Sequence, residues 1–119
     1  MKIAIVGSRK ITDVNIEEYL PAACEEIISG GAVGVDKCAE RYALENRIRF
    51  TVFLPEYKRY GRGAPILRNK EIVNAADEVL IFWDGSSRGT KSVLEYCDKI
   101  SKPYKVIICK QPIDKGTHA

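Results

Sequence analysis

The sequence predicts a three-layer α/β domain, in which a five-stranded, mainly parallel sheet carries helices on both faces. Short apolar runs rich in β-branched residues are typical of parallel strands that are buried on both sides. Helix-compatible segments alternate with these runs over short connections, as expected when each helix carries the chain back to the start of the next parallel strand. With the first strand near the centre, the predicted strand order is 3-2-1-4-5.

The elements follow from local patterns taken in chain order. Strands are predicted at residues 2–6, 27–28, 48–54, 79–83 and 104–109, and helices at residues 13–26, 35–46, 66–76 and 90–100. Asp13 is a suitable N-cap for the first helix, and Pro21 either kinks that helix or begins a second one. The second helix has apolar residues spaced by three and four, which form an amphipathic stripe. These residues are Val35, Cys38, Ala39, Tyr42 and Ala43.

Composition places the chain among ordinary globular domains, with 45% hydrophobic and 29% charged residues. The domain is predicted to span residues 1–110, and the polar residues 111–119 are predicted to form a frayed tail. No apolar stretch approaches the roughly 20 residues of a membrane span, so no membrane contact is expected. The net charge of +3 is too small to predict a nucleic-acid-binding surface by itself.

The cysteines are spread along the chain, without a C-x-x-C pair or a nearby histidine. They are Cys24, Cys38, Cys97 and Cys109. We interpret them as buried, reduced thiols, which are typical of a reducing compartment. Because Met1 leads directly into a strand-like segment without a signal-peptide pattern, we expect a cytoplasmic protein.

Three strand-to-loop junctions are suited to an anionic ligand. In each, an apolar run stops at glycine before a helix-compatible segment, so backbone amides and the positive end of a helix dipole become available. Ligands of open α/β sheets bind where the strand order reverses, so all three junctions should meet at one crevice. Glycines that only form tight turns are the alternative. The predicted ligand-binding residues are Gly7, Ser8, Arg9, Gly30, Gly31, Ala32, Gly34, Asp36, Arg68, Asn69, Asp84, Gly85, Ser86, Ser87, Arg88, Gly89 and Thr90.

Several of these side chains have candidate roles. Arg9 and Arg88 flank the reversal point and suit a bidentate grip on phosphate, although solvated arginines are the simpler interpretation. Asp36 either starts its helix or orients a loop N–H or a ribose hydroxyl. Arg68 lies early in a helix, against the helix dipole, which indicates a ligand or a carboxylate partner such as Asp84.

The segment at residues 57–65 is predicted to be a loop with two interpretations. Its aromatic and basic side chains could line the mouth of the crevice and stack on a nucleotide base, or they could simply be exposed. These side chains are Tyr57, Arg59, Tyr60 and Arg62.

Taken together, the motifs resemble the SLOG superfamily, and within it the small, cpYpsA-related YspA type. The resemblance covers residues 2–109 and includes Ser29-Gly-Gly-Ala-x-Gly-Val-Asp36, Arg68-Asn69 and the segment from Asp84 to Thr90. It implies a Rossmann-like fold and a pocket for nucleotides or nucleotide-derived ligands. DprA, a single-stranded DNA-binding loader, has similar Val-Gly-Ser-Arg-Lys, Ser-Gly-Gly-Ala-x-Gly-Val/Ile-Asp and Arg-Asn segments.

The chain also resembles the LOG enzymes, which are cytokinin-activating phosphoribohydrolases. By this resemblance Arg68 corresponds to their catalytic arginine and Gly89-Thr90 to their Gly-Thr pair, and their pairing through helices implies a homodimer. The chain departs from LOG at Val93, where LOG enzymes have a glutamate. Glu95 is two residues further on, roughly 200° away around a helix.

Three functions follow as hypotheses. The first is a binding protein or sensor for a nucleotide-like small molecule such as an ADP-ribose-like ligand, without a metal or cofactor. The second is an N-glycosidic hydrolase, in which Arg68 acts with Asp84 or Asp36 because such cleavage usually needs a carboxylate. The third is single-stranded DNA binding of the DprA type, which is the least favoured because the chain has no extended basic stripe.

Overall fold

The computed structural model describes residues 1–109, and the predicted tail at residues 111–119 lies outside them. Within this range the strands are β1 (Lys2–Gly7), β2 (Glu26–Ser29), β3 (Arg49–Val52), β4 (Glu78–Trp83) and β5 (Tyr104–Ile108). All neighbouring strands pair in parallel, in the order β3-β2-β1-β4-β5. The predicted fold class and strand order are therefore confirmed.

The helices cover both faces of the sheet. They are α1 (Ile16–Tyr19), α2 (Val35–Glu45), α3 (Tyr57–Tyr60), α4 (Ala64–Ala75) and α5 (Arg88–Ile100). On one face, α1 and α2 pack over a core that includes Ile5 and Phe82. On the other, α4 and α5 pack over a core that includes Val6 and Ile81. Neighbouring strand residues point to opposite faces, so β1 contributes to both cores. No helix in the described part of the chain is both long and apolar enough to span a membrane.

The prediction of a helix over residues 13–26 is wrong in length, because α1 has only four residues. Asn15, rather than Asp13, caps this helix through its side-chain oxygen. Leu20 ends it with a ψ of 127°, an extended conformation. The physical reason is Pro21, since the residue before a proline is disfavoured in the helical region. Pro21 neither kinks a helix nor begins a second one.

The prediction of a loop over residues 57–65 is also wrong. These residues form α3, a 3₁₀ turn at Gly61–Gly63 and the first turn of α4. Pro65 lies in that first turn, where its fixed φ suits a helix and its missing N–H costs no hydrogen bond. The last helix begins two residues earlier than predicted: α5 begins at Arg88 rather than at Thr90, with Ser87 as its N-cap.

The carboxyl ends of β1, β2 and β4 lie side by side and open into the three glycine-containing loops. Gly7 closes β1 and pairs in register with Phe82 of β4. A Cβ built on Gly7 would lie 2.4 Å from the Phe82 carbonyl oxygen and 2.5 Å from Val35 Cγ2. Glycine is therefore needed here for α2 to start close to the end of β1, which brings the loops together.

Candidate functional site

A cavity of about 360 Å³ opens where β1, β2 and β4 end. Residues from all three glycine junctions, and from α4, line it. Of the predicted ligand-binding residues, those in the lining are Gly7, Arg9, Gly30, Gly31, Ala32, Asp36, Arg68, Asn69, Ser87, Gly89 and Thr90. The other lining residues are apolar or aromatic: Val6, Leu54, Pro55, Tyr57, Pro65, Ile72 and Val93. The cavity thus has a polar part and an apolar part.

Arg68 ties together the loops that follow β2 and β3. Its Nη1 donates to the carbonyl oxygen of Gly30 at 2.6 Å and to that of Phe53 at 3.3 Å. Its Nε donates to Asn69 Oδ1 at 2.8 Å. These carbonyl and amide oxygens hold the guanidinium in place although its charge opposes the helix dipole. The prediction of Asp84 as a carboxylate partner of Arg68 is therefore wrong. Among residues 1–109, Nη2 has no hydrogen-bond partner, which leaves a charged donor for a ligand.

Asp36 is buried in the first turn of α2 and bonds to its own loop. Its Oδ2 accepts a hydrogen bond from the Ala32 amide at 3.0 Å. Burial raises the pKa of Asp36, although the Ala32 amide and the positive charge of Arg68 act in the opposite direction. Asp36 therefore orients a loop N–H, one of the roles that the sequence left open. The Ala32 amide is consequently not available to a phosphate.

Asp84 caps the turn that follows β4 and does not line the cavity. Its Oδ1 accepts from the amides of Ser86 at 2.9 Å and Ser87 at 2.8 Å, which lowers the pKa of Asp84. The Asp84 amide in turn donates to Ser8 Oγ at 3.1 Å. The amides of Ser86 and Ser87, which the sequence assigned to a phosphate, are thus already bonded to a carboxylate. Asp84 shapes the loop rather than the cavity surface.

The remaining predicted residues that do not line the cavity are Ser8, Gly34, Gly85, Ser86 and Arg88. Gly34 has a structural role that explains its residue type. Its φ of +78° lies in the left-handed region, and a Cβ on it would lie 2.4 Å from the Arg9 carbonyl oxygen. Gly34 thereby lets the loops after β1 and β2 pack against each other, and it shapes the cavity indirectly.

The N-terminus of α5 keeps part of its anion-binding capacity. Ser87 Oγ accepts from the Thr90 amide at 3.4 Å, as an N-cap does. The amides of Arg88 and Gly89 have no hydrogen-bond partner within residues 1–109, and Gly89 lines the cavity. Trp83 Nε1 donates to the Ser87 carbonyl oxygen at 3.0 Å, which places the only tryptophan of the sequence beside this turn.

Residues 1–60, which make up just over half of the 119-residue chain, match the family described as DNA recombination-mediator protein A. The chain belongs to this family. No curated protein and no solved structure matches the chain significantly. The match supports the resemblance to DprA and the SLOG superfamily, and it includes the first two glycine junctions. The matched segment therefore contains Arg9, Asp36 and the lining residues that follow β3, whereas Arg68 and α5 lie beyond residue 60.

The carboxylate that LOG enzymes use has no counterpart in the cavity of this family member. Val93 is buried and lines the cavity, while Glu95 is exposed on α5 and lies outside it. Asp36 is the only carboxylate among the lining residues that the structure describes. Among residues 1–109, no three His, Cys, Asp or Glu side chains lie close enough together to hold a metal ion.

Sequence reasoning missed most of the apolar residues that line the cavity. It named Tyr57 as a candidate for the mouth of the crevice, but not Leu54, Pro55 or Pro65. Leu54 and Pro55 follow the carboxyl end of β3, the edge strand next to β2, and this position was the available signal. Of the other side chains predicted at the mouth, Arg59, Tyr60 and Arg62 do not line the cavity.

Proposed function

We propose that the cavity binds the phosphate of a nucleotide or nucleotide-derived small molecule, and that the protein acts as a binding protein or sensor. The observation that carries this proposal is the state of Arg68. Its Nη1 and Nε are committed to oxygens of the protein, while Nη2 remains for a ligand in a cavity that the side chain lines. A guanidinium held this firmly loses little conformational entropy when it binds an anion.

Neighbouring groups support the same chemistry. Arg9 lines the cavity and adds a second positive charge. Asn69 Oδ1 accepts from Arg68, so the Asn69 amide nitrogen is left to donate. The Gly89 amide at the start of α5 adds a dipole-assisted donor. The Asp36 carboxylate also lines the cavity, and its negative charge would repel a phosphate. Burial raises the pKa of Asp36.

The dimensions favour a small ligand. Small-molecule sites enclose roughly 300–1,000 Å³, and this cavity lies near the lower end of that range. A mononucleotide suits it better than a dinucleotide.

The four free cysteines support a role in a reducing compartment such as the cytoplasm. We also infer that the chain is a small member of the YspA type.

Single-stranded DNA is the second candidate, because the family description names DNA recombination. The same arginines suit one phosphate of a DNA strand. DNA binding would require several phosphate contacts, and its affinity would fall steeply with salt.

Hydrolysis of an N-glycosidic bond is less well supported. Val93 occupies the position of the LOG glutamate, and Asp36 is bonded to its own loop.

The experiment is a titration with AMP, followed by the fluorescence of Trp83 and by the melting temperature. We expect saturable binding and a raised melting temperature. We expect Arg9→Ala to weaken binding by about tenfold or more, the value of one charge-assisted hydrogen bond. Arg9 makes no side-chain hydrogen bond within the described residues, so this variant should remain folded. Arg41→Ala, an exposed change on α2, is the matched control and should bind as the unmodified protein does.

Other results would overturn the proposal. One is the absence of any response to AMP, ADP-ribose or inorganic phosphate at millimolar concentration. A second is release of free base and ribose 5-phosphate, detected by chromatography, which indicates an enzyme. A third is tighter binding of a single-stranded oligonucleotide than of AMP with a steep salt dependence, which indicates a DNA-binding protein.

A further inference from the structure

One wall of the cavity consists of apolar and aromatic side chains. It adjoins Arg68, because Arg68 Nη1 donates to the carbonyl oxygen of Phe53, the residue before Leu54. We call this set, Leu54, Pro55, Tyr57 and Pro65, the apolar wall. Leu54 is 64% exposed and Tyr57 is 60% exposed. Single exposed apolar residues are common, but here several line the same concave surface, which is typical of a binding site.

We propose that the apolar wall binds the base of a mononucleotide by stacking and van der Waals contact, without selecting one base. This inference rests on the proposed phosphate site. The wall is next to the proposed phosphate-binding group, because the Phe53 carbonyl oxygen that precedes Leu54 accepts from Arg68 Nη1 at 3.3 Å. The base and the phosphate of one nucleotide can therefore bind side by side in the same cavity.

The lack of base selection follows from the chemistry of the wall. A protein distinguishes bases by donors and acceptors placed against their polar edges. Pro55 and Pro65 have no backbone N–H, and Leu54 has no polar side-chain atom. The Tyr57 hydroxyl is the single polar side-chain group on this wall, and it can donate or accept. Stacking tolerates every base, because every base has a π face.

Tyr57 and Tyr60 give a matched pair of variants. Both lie in the four-residue helix α3, and both are exposed, Tyr57 by 60% and Tyr60 by 41%. Tyr57 lines the cavity, whereas Tyr60 does not and instead has Arg59 over its ring at 5.2 Å. Loss of either ring should affect folding to a similar extent, but only loss of Tyr57 should affect a bound base.

The experiment measures dissociation constants by calorimetry for AMP, GMP, CMP, UMP and ribose 5-phosphate. We expect the four nucleotides to bind within about tenfold of one another, and all of them more tightly than ribose 5-phosphate. Tyr57→Ala should weaken AMP binding by roughly tenfold and leave ribose 5-phosphate unchanged, since the sugar phosphate has no base to stack. Tyr57→Phe should retain AMP binding, and Tyr60→Ala should match the unmodified protein.

Two results separate failure of this inference from failure of the proposed function. If ribose 5-phosphate binds as tightly as AMP, or if Tyr57→Ala weakens both equally, the base site is overturned while the phosphate site stands. If none of the phosphate compounds binds, both are overturned. A preference above about tenfold for one base would overturn the lack of selection. Tighter binding of a short oligothymidylate than of UMP would overturn the assignment to a free nucleotide.

Discussion

The guanidinium of Arg68 occupies the space next to Gly30 that a side chain would otherwise fill. Arg68 Nη1 donates to the Gly30 carbonyl oxygen at 2.6 Å, and a Cβ built on Gly30 would lie 2.7 Å from the same nitrogen. Gly30 is not among the glycines with positive φ, so its requirement is steric rather than conformational. The sequence predicts that Gly30 lets a ligand approach the backbone, whereas in the structure Gly30 leaves room for the Arg68 side chain.

Gly30→Ala should displace Arg68 and thereby destabilise the protein. The added methyl group overlaps the guanidinium, which must move and give up its hydrogen bonds to the Gly30 and Phe53 carbonyl oxygens, at a cost of about 1–3 kcal/mol. Urea unfolding measures this loss, and AMP titration should show weaker binding because Nη2 moves with the guanidinium. Gly63→Ala is the control, since a Cβ there meets no atom within 4 Å and φ is −78°. Equal stability of the two variants would contradict the steric role of Gly30.

Asp36→Asn should change how stability depends on pH. The pKa of Asp36 is raised in the folded state, mainly by burial, so its contribution to stability is fully present below the unfolded pKa of about 3.9. That contribution is lost as pH rises through the folded pKa. The free energy of unfolding of the variant, relative to the unmodified protein, should therefore increase from pH 3 upward and then level off.

Urea unfolding at several pH values from 3 to 7 tests this expectation. Asp13→Asn provides the comparison, because Asp13 is exposed. If the free energy of unfolding of Asp36→Asn, relative to the unmodified protein, instead decreased with rising pH, the Ala32 amide and Arg68 would outweigh burial.

Gly89→Ala should stabilise the protein and weaken ligand binding. A Cβ on Gly89 would meet no atom within 4 Å, and the residue lies in the first turn of α5. A glycine replaced in a compatible conformation typically adds about 0.4–1 kcal/mol. The methyl group would, however, stand at the cavity surface, where a phosphate approaches the backbone amide. A raised melting temperature together with a higher dissociation constant for AMP is the expected result, whereas unchanged affinity would place the phosphate elsewhere.

Cys97 should react slowly with alkylating reagents in the folded protein. Its side chain is fully buried between α5 and the sheet, and burial raises its pKa to about 11. Only the thiolate is nucleophilic, so both access and ionisation oppose the reaction at pH 8. Mass spectrometry after iodoacetamide treatment, with and without urea, measures the labelling. Labelling of native Cys97 as fast as in urea would show that this helix opens readily.

The sequence alone predicted the strands of the sheet, because buried parallel strands need continuous apolar runs that are visible residue by residue. The predicted strand order, which the structure confirms, depended on taking the first strand as central. Sequence reasoning was wrong about the helix at residues 13–26 and the loop at residues 57–65. In the first case Pro21 acts on the residue before it, and in the second Pro65 starts a helix, so local stereochemistry outweighed the broader pattern.

The residue types of the candidate site were also predictable, since glycine after a strand and arginine near it are readable signals. The partner of each polar group was not. Asp36 takes the Ala32 amide, Asp84 takes the amides of its own turn, and Arg68 takes two carbonyl oxygens. Hydrogen bonds form between groups that the tertiary fold brings within about 3 Å. The sequence by itself therefore determined the fold and the edge of the sheet where hydrogen-bond donors gather. Only the tertiary structure decided which of these donors remain free, because short contacts between distant segments depend on how those segments pack.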